Sequence, residues 1–120
     1  MTESFFFDTY AFFEIIQGNE KYAQYQDALA VTTIFNLAEL NYGLKRQGDS
    51  GADELTAQYA PFLVDVTVQD VQKAMSFLLK HKDLSIPDAM GYIVAQRYNL
   101  KFLTGDEDFK NMPGVEFVKK

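Results

Sequence analysis

Short apolar runs alternate with stretches of helical periodicity along this chain, and the alternation restricts the possible folds more than any other feature of the sequence. Runs with the length and composition of strands occupy residues 4–7, 28–31, 62–66, 101–104 and 115–118. Strands that alternate with helices form a mostly parallel sheet with helices on both faces. We therefore predict an α/β fold of this kind, in which residues 115–118 form an edge strand.

The segments between these runs carry the apolar spacing of amphipathic helices. Predicted helices occupy residues 9–17, 20–27, 53–60, 68–81 and 85–99, and one more begins after Thr32 or Thr33 and extends to Arg46. Residues 47–52, which include two glycines, form the clearest loop. The sequence shows no internal repeat, linker or low-complexity segment, and we expect residues 1–120 to form a single domain.

Composition and charge narrow the classes of function. The chain has no cysteine, which excludes a disulfide framework or a thiolate metal site, and its formal net charge is −6. Its apolar runs are too short for a transmembrane helix, and Met1-Thr2-Glu3-Ser4 lacks the positive charge of a signal peptide. We expect a soluble, cytoplasmic protein without membrane contact. The charge argues against tight non-specific DNA binding, but it is compatible with a nuclease whose acidic residues surround a metal ion.

Several acidic residues fall where the carboxyl ends of the predicted strands meet. Asp8 directly follows the first strand, and Asp106 and Asp108 follow the fourth. Asp88 lies in the first turn of the helix that precedes the fourth strand, and Glu39 lies about one and a half turns into the helix after the second. Because ligands of such sheets bind outside the carboxyl ends of the strands, we expect these carboxylates to converge there.

A cluster of carboxylates favours a divalent cation. Neighbouring carboxylates repel one another and desolvation raises their pKa values, and a bound cation relieves both effects. Oxygen-only ligands favour Mg²⁺ or Mn²⁺ over Zn²⁺. In phosphoryl chemistry such ions activate a water molecule and stabilise the attacking and leaving oxygens, so no side chain needs to act as a covalent nucleophile.

Each acidic residue also has a purely structural interpretation. Asp8 could cap the helix that follows it, and Ser85 with Asp88 matches a capping box. Residues 105–108 could form a solvated turn, and Glu39 could face solvent from its helix. The metal-site interpretation therefore depends on the acidic residues taken together.

Three basic residues favour structural roles. His81, the only histidine, lies near a predicted helix end between lysines, which is typical of a surface position. Lys45 and Arg46 could contact phosphate groups, but positive charge also stabilises the end of the helix they occupy. We assign the structural role to all three.

Four segments carry the acidic residues in a recognisable order. They are Phe6-Phe7-Asp8-Thr9, Thr32-Thr33-Ile34-Phe35-Asn36-Leu37-Ala38-Glu39-Leu40, Leu84-Ser85-Ile86-Pro87-Asp88-Ala89 and Phe102-Leu103-Thr104-Gly105-Asp106-Glu107-Asp108-Phe109. Their order and approximate spacing resemble the PIN-domain family, in particular the short VapC-type toxins, as does the ending Met112-Pro113-Gly114-Val115-Glu116-Phe117. The likeness covers nearly the whole chain.

The resemblance implies a PIN-like fold and an Mg²⁺- or Mn²⁺-dependent endoribonuclease that acts as the toxin of a toxin–antitoxin pair. It also implies an RNA substrate, a homodimer and an antitoxin segment that docks near the acidic pocket. Residue by residue, it assigns catalysis and metal binding to Asp8, Glu39, Asp88 and Asp106. It adds Asp108 as a fifth metal-binding position, which is more variable in the family, and assigns supporting polar positions to Thr9 and Thr104. Gly91 departs from the family, whose members usually have a larger apolar residue there.

Other functions compete with this interpretation. A housekeeping PIN nuclease that processes RNA would share the acidic residues, whereas a non-catalytic PIN-fold binding or scaffold module would usually lack some of them. A phospho-accepting receiver domain is similar in length and acidity. The receiver pattern needs adjacent acidic residues after the first strand and a lysine after the last inner strand, but Thr9 follows Asp8 and Gly105 follows Thr104.

Overall fold

Four short parallel strands form the sheet at the centre of the fold, in the order β2-β1-β3-β4. The strands are β1 (Ser4–Phe7), β2 (Leu29–Val31), β3 (Lys101–Thr104) and β4 (Val115–Phe117). The computed structural model describes residues 3–120, so Met1 and Thr2, used above in the signal-peptide argument, lie outside the described residues. The predicted parallel sheet is confirmed, and β4 is an edge strand as expected.

Within the part of the chain that the structure describes, five α-helices connect and cover the strands. They are α1 (Thr9–Ile16), α2 (Ile34–Arg46), α3 (Ala52–Gln58), α4 (Val68–Lys80) and α5 (Ile86–Arg97). The predicted helix over residues 20–27 is instead a 3₁₀ helix, Glu20–Tyr25, which begins where the Asn19 side chain accepts a hydrogen bond from the Lys21 amide. Within residues 3–120 no helix has the length and apolar character needed to cross a bilayer.

The alternation of side chains along β1 divides the core into two layers. Phe5 and Phe7 pack with residues of α1, α2 and α3 on one face of the sheet. Phe6 stacks on Phe102 on the other face, in a cluster that includes Tyr92 of α5 and the partly buried Phe77 of α4. Helices therefore cover both faces, as the sequence predicted.

The prediction of a strand over residues 62–66 is wrong. Pro61 lies in a 3₁₀ turn, Ala60–Phe62, and only Leu63 forms a bridge, with Thr32. The chain then leaves the sheet, and the Arg97 guanidinium donates to the Asp65 carbonyl at 2.8 Å. Residues 62–66, although they have the apolar composition and length of a strand, therefore lie at the contact between α4 and α5.

The close approach of α5 to the sheet depends on Gly91. A Cβ atom at this position would lie 2.9 Å from the Phe6 ring and 3.1 Å from the Asn36 amide oxygen. Glycine therefore leaves room for Phe6, which explains in packing terms the departure from the family noted above. The contact brings the N-terminus of α5, and with it Asp88, towards the end of β1.

Candidate metal centre

Three carboxylates from three separate elements meet at the carboxyl edge of the sheet. Asp8 follows β1, Glu39 lies on α2 and Asp88 lies in the first turn of α5. Each offers one oxygen, and these oxygens lie within 4.8 Å of one another. Asp8 is buried, whereas Glu39 and Asp88 are partly buried. The expected convergence is thus present for these three residues.

Asp8 is fixed by polar side chains from two neighbouring elements. The Thr104 hydroxyl donates to Oδ2 at 2.7 Å, and the Asn36 amide donates to Oδ1 at 3.5 Å. Asp8 occupies the position before α1, but its side chain makes no capping hydrogen bond. The capping alternative therefore does not account for Asp8.

Asp88 both caps its helix and faces the cluster. Its Oδ2 accepts from the Ser85 amide at 2.9 Å, and the Asp88 amide donates to Ser85 Oγ at 3.2 Å, which completes the capping box. Ser85 Oγ also donates to Glu39 Oε2 at 3.4 Å. The structural and the metal-site interpretations of Asp88 are therefore compatible, because capping occupies one oxygen and orients the carboxylate.

The remaining predicted residues occupy different positions around this centre. Asp106 lines the same cavity but lies outside the group of three close oxygens. Its amide donates to Thr104 Oγ1 at 3.1 Å, and its Oδ1 accepts from the Asp108 amide at 3.0 Å. Asp108 is exposed and is not among the residues that line the cavity. Thr9 is buried beside the centre. Its hydroxyl donates to the Asn36 carbonyl and accepts from the Asn36 side-chain amide, each at 3.4 Å.

The cavity above the three carboxylates has a volume of about 460 Å³. Its charged lining comprises Asp8, Glu39, Asp83, Asp88, Asp106 and Arg46. Five carboxylates therefore face one cation across the cavity. Such a cavity attracts cations and opposes the unaided entry of an anion.

The pKa values of two carboxyl groups reflect this crowding. Burial, followed by the Asp88 charge, raises the pKa of Asp8 well above its ordinary value, against the opposing hydrogen bond from Thr104. Burial also raises the pKa of Asp88 to about 6, with contributions from the charges of Glu39 and Asp106, although its hydrogen bonds with Ser85 lower it. The cluster therefore retains protons more readily than isolated carboxyl groups do.

The donor set fits a hard divalent cation. Mg²⁺ binds oxygen at about 2.1 Å, so opposite ligands of one ion are about 4.2 Å apart. Adjacent ligands are closer still, at about 3.0 Å, so the three oxygens, which lie within 4.8 Å of one another, would have to draw together around a bound ion. Among residues 3–120 no histidine or cysteine joins the cluster, which favours Mg²⁺ or Mn²⁺ over softer metals.

Sequence reasoning missed three residues of the site. Asn36 is fully buried and contacts Asp8 and Thr9, Asp83 lines the cavity, and Ser85 bridges two of the carboxylates. For Asn36 a signal was available, because Thr33, Asn36 and Glu39 recur every third residue on one face of α2. The bridge from Ser85 to Glu39 depends on how α2 packs against α5, which no local pattern reveals.

The basic residues weighed earlier lie in three different settings. His81 is half-buried, stacks on Phe77 with ring centroids 4.2 Å apart, and does not line the acidic cavity. Lys45 forms an exposed ion pair with Asp53 at 2.9 Å. Arg46 differs from both, because it lines the cavity.

Comparison with known proteins identifies the fold family. The PIN domain matches residues 5–115, nearly the whole chain. The chain belongs to the PIN-domain family. This PIN domain has four parallel strands and helices on both faces, and its acidic edge carries the segments on which the resemblance rested. Comparison with the curated proteins gives no match.

Solved structures of toxin proteins share this PIN fold. A toxin–antitoxin complex from Klebsiella pneumoniae matches with a TM-score of 0.77 and 20% identity, over 97% of this chain and 99% of that chain. A VapC toxin from Mycobacterium tuberculosis that cleaves the sarcin–ricin loop matches with a TM-score of 0.76 and 21% identity, over 97% of this chain and 99% of that chain. A VapBC complex from Rickettsia felis, bound to a promoter DNA fragment, matches with a TM-score of 0.68 and 17% identity, over 97% of this chain and 98% of that chain. At these identities the likeness demonstrates a shared fold.

Proposed function

We propose that this PIN domain is an Mg²⁺- or Mn²⁺-dependent endoribonuclease. The observation that carries the proposal is the convergence of Asp8, Glu39 and Asp88, whose oxygens lie within 4.8 Å of one another at the sheet edge where ligands bind in such folds. Burial of Asp8 supports it, because a buried carboxylate beside two others is stabilised in its ionised form by a cation.

The side chains around the cluster have distinct roles in this proposal. Asp8, Glu39 and Asp88 hold the cation, and Asp106 adds negative charge at the edge of the cavity. When bound, the ion would lower the pKa of a water molecule and stabilise the charge that develops on a phosphodiester.

A second set of side chains fixes the positions of the carboxylates. Thr104 and Asn36 hold Asp8, and Ser85 holds both Asp88 and Glu39. The carboxylates are thus oriented before a ligand arrives, which reduces the reorganisation needed on binding.

RNA is the proposed substrate, and the proposed biological role is that of a toxin. The similar VapC protein from M. tuberculosis cleaves the sarcin–ricin loop, and two other similar structures are toxin–antitoxin assemblies. We propose by analogy that this chain cleaves single-stranded or looped RNA and pairs with an antitoxin. An RNA-processing nuclease without an antitoxin is the second candidate, because the same acidic cavity serves it equally well.

Cleavage of RNA with and without chelation tests the proposed activity. Purified protein is incubated with single-stranded and hairpin RNAs in Mg²⁺, in Mn²⁺, in EDTA, and in EDTA followed by excess Mn²⁺. We expect cleavage in Mg²⁺ or Mn²⁺, none in EDTA, and recovery when Mn²⁺ is restored. Equal cleavage in EDTA would exclude the metal mechanism, and absence of cleavage in every condition would favour the non-catalytic binding module.

A further inference from the structure

Tyr42 and Arg46 form an exposed stacked pair at the mouth of the acidic cavity. The Arg46 guanidinium carbon lies 5.6 Å from the centroid of the Tyr42 ring, and both residues line the cavity. Tyr42 is 64% exposed, so its ring is accessible at the edge of the cavity. The pair therefore presents an aromatic face and a cation to whatever enters the cavity.

The helix geometry aligns this pair with the proposed metal centre. Glu39, Tyr42 and Arg46 are three and four residues apart along α2, so their side chains form one stripe on the surface of that helix. Gly43, one position after Tyr42, packs against the Phe13 ring, which fixes α2 against α1. A ligand that approaches Glu39 along this stripe of α2 meets Tyr42 and Arg46.

A second Tyr–Arg pair in the same chain shows what a structural pair looks like. Arg97 lies 4.6 Å from the Tyr98 ring centroid, but it also binds Asp70 and Asp65, and the Tyr98 hydroxyl donates to Asp65 at 2.6 Å. Within residues 3–120, Tyr42 and Arg46 make no comparable hydrogen bond or ion pair. The pair at the cavity therefore retains its hydrogen-bonding groups for a ligand.

From these contacts we infer that Tyr42 and Arg46 form a nucleotide-binding platform beside the metal centre. An unpaired base stacks on the Tyr42 ring, and the Arg46 guanidinium contacts an adjacent phosphate. The inference rests on the proposed function in one respect, because the RNA strand that the platform holds is the substrate strand that lies over Asp8, Glu39 and Asp88. The ligand class is single-stranded nucleic acid, because base stacking requires an unpaired base.

Electrostatics explain why a cation is needed at this place. Five carboxylates line the cavity, and Arg46 is the one lysine or arginine among the lining residues that the structure describes. A phosphate that approaches the carboxylates is repelled until a metal ion and a fixed cation offset their charge. Arg46 supplies the fixed positive charge at the mouth of the cavity, where the RNA strand enters.

Binding of a labelled RNA to matched variants tests the platform. A fluorescein-labelled single-stranded RNA is titrated in Ca²⁺, gels confirm that the RNA stays intact, and circular dichroism confirms that each variant is folded. Loss of one stacked base weakens binding by about five- to a hundredfold. We expect that loss for Tyr42→Ala, whereas Tyr42→Phe and the control Tyr98→Ala stay within about twofold of the wild type.

Abasic substitution of the RNA identifies the stacked nucleotide. One abasic position should weaken binding to the wild type and leave binding to Tyr42→Ala unchanged, since the stacking partner is already absent. Arg46→Gln should reduce the slope of log affinity against log salt by roughly 0.7, the contribution of one phosphate contact on a single strand.

Three results would overturn the platform. They are wild-type affinity for Tyr42→Ala, equal abasic losses in the wild type and Tyr42→Ala, and failure of the wild type to bind any single-stranded RNA. If Tyr42→Ala weakened binding of a co-purified protein but not of RNA, the pair would be a protein contact and the proposal would be wrong.

Cleavage in Mn²⁺ is measured separately, so that the platform and the nuclease can fail independently. RNA binding without cleavage would refute the proposed nuclease. Cleavage by the wild type, together with wild-type RNA affinity in Tyr42→Ala, would refute only the platform.

Discussion

At the scale of single residues, the site depends on a buried carboxylate held by neutral donors. Asp8 is 2% exposed, and the hydrogen bonds from Thr104 and Asn36 only partly offset the energy lost when its charge leaves water. Glu39 and Asp88 add like charge nearby. A group in this setting destabilises the metal-free protein and stabilises a bound cation, which is the compromise expected at a functional site.

Asp8→Asn should separate catalysis from stability. The amide preserves the shape of the side chain and removes its charge, so we expect RNA cleavage to fall by about a hundredfold or more. The metal-free variant should melt at the same or a higher temperature than the wild type, because the repulsion with Asp88 is relieved. A markedly lower melting temperature would show that Asp8 is primarily structural. Asp108→Asn, at an exposed position outside the cavity, is the control.

The pKa of Asp88 gives the stability of the metal-free protein a characteristic pH dependence. Folding raises this pKa from 3.8 to about 6, so the folded state binds the proton more tightly than the unfolded state. The free energy of unfolding contributed by Asp88 therefore decreases as pH rises through this interval. We expect urea unfolding in EDTA to show a smaller loss of stability over that interval for Asp88→Asn than for the wild type. Equal pH profiles would contradict the shift.

At the scale of secondary-structure elements, α4 and α5 are joined by a charged contact at the far end of α5 from the site. Asp70 closes the capping box of α4 with Thr67 and also accepts from Arg97 Nε at 3.0 Å and 3.1 Å. The Asp70 side chain is 3% exposed, so it depends on these donors. The contact joins the C-terminal end of α5 to the N-terminal end of α4.

Arg97→Met should weaken this junction. The substitution leaves the buried Asp70 carboxylate without its cation, and we expect the free energy of unfolding to fall by more than it does when an exposed ion pair is lost. Lys45→Met is the matched control, since its ion pair with Asp53 is exposed and should contribute little to the free energy of unfolding. Urea denaturation measures both. Equal effects of the two substitutions would show that Asp70 is not dependent on Arg97.

The elements that define the site were largely predictable from local sequence. The apolar runs of β1 and β3 are followed by polar residues, among them Asp8 and Asp106, and these residues indicate the edge of the sheet. The spacing of Ser85 and Asp88 directly predicts the capping box of α5. The segment over residues 62–66 was not predictable, because its path depends on a hydrogen bond to the distant Arg97. The contacts that hold Asp8 were also hidden, because they require α2 and β3 to be placed beside β1.

At the scale of the whole molecule, charge is distributed unevenly between the cavity and the remaining surface. Five of the carboxylates responsible for the net charge of −6 line one cavity, opposite a single arginine. A basic segment of an antitoxin would find complementary charge there, and an arginine side chain could form paired hydrogen bonds with these carboxylates. Inhibition by such a segment should weaken as Mg²⁺ or salt rises, because both compete for the same charges.

Self-association is a separate expectation at this scale. We expect the purified chain to form a homodimer, since the resemblance to VapC-type toxins implies one and several large apolar side chains are exposed, including Val68 and Leu79 on α4. Sedimentation velocity across a concentration series measures the association. A monomer throughout that series would contradict the prediction without affecting the metal site.

The metal centre itself is the central claim, and calorimetric titration of Mn²⁺ into metal-free protein tests it most directly. The wild type should bind Mn²⁺ saturably, Asp8→Asn should lose at least about tenfold in affinity, and Asp108→Asn should bind as the wild type does. Chelation should reverse the binding. Equal affinity in the wild type and Asp8→Asn, or no saturable binding by the wild type, would contradict a metal centre built from Asp8, Glu39 and Asp88.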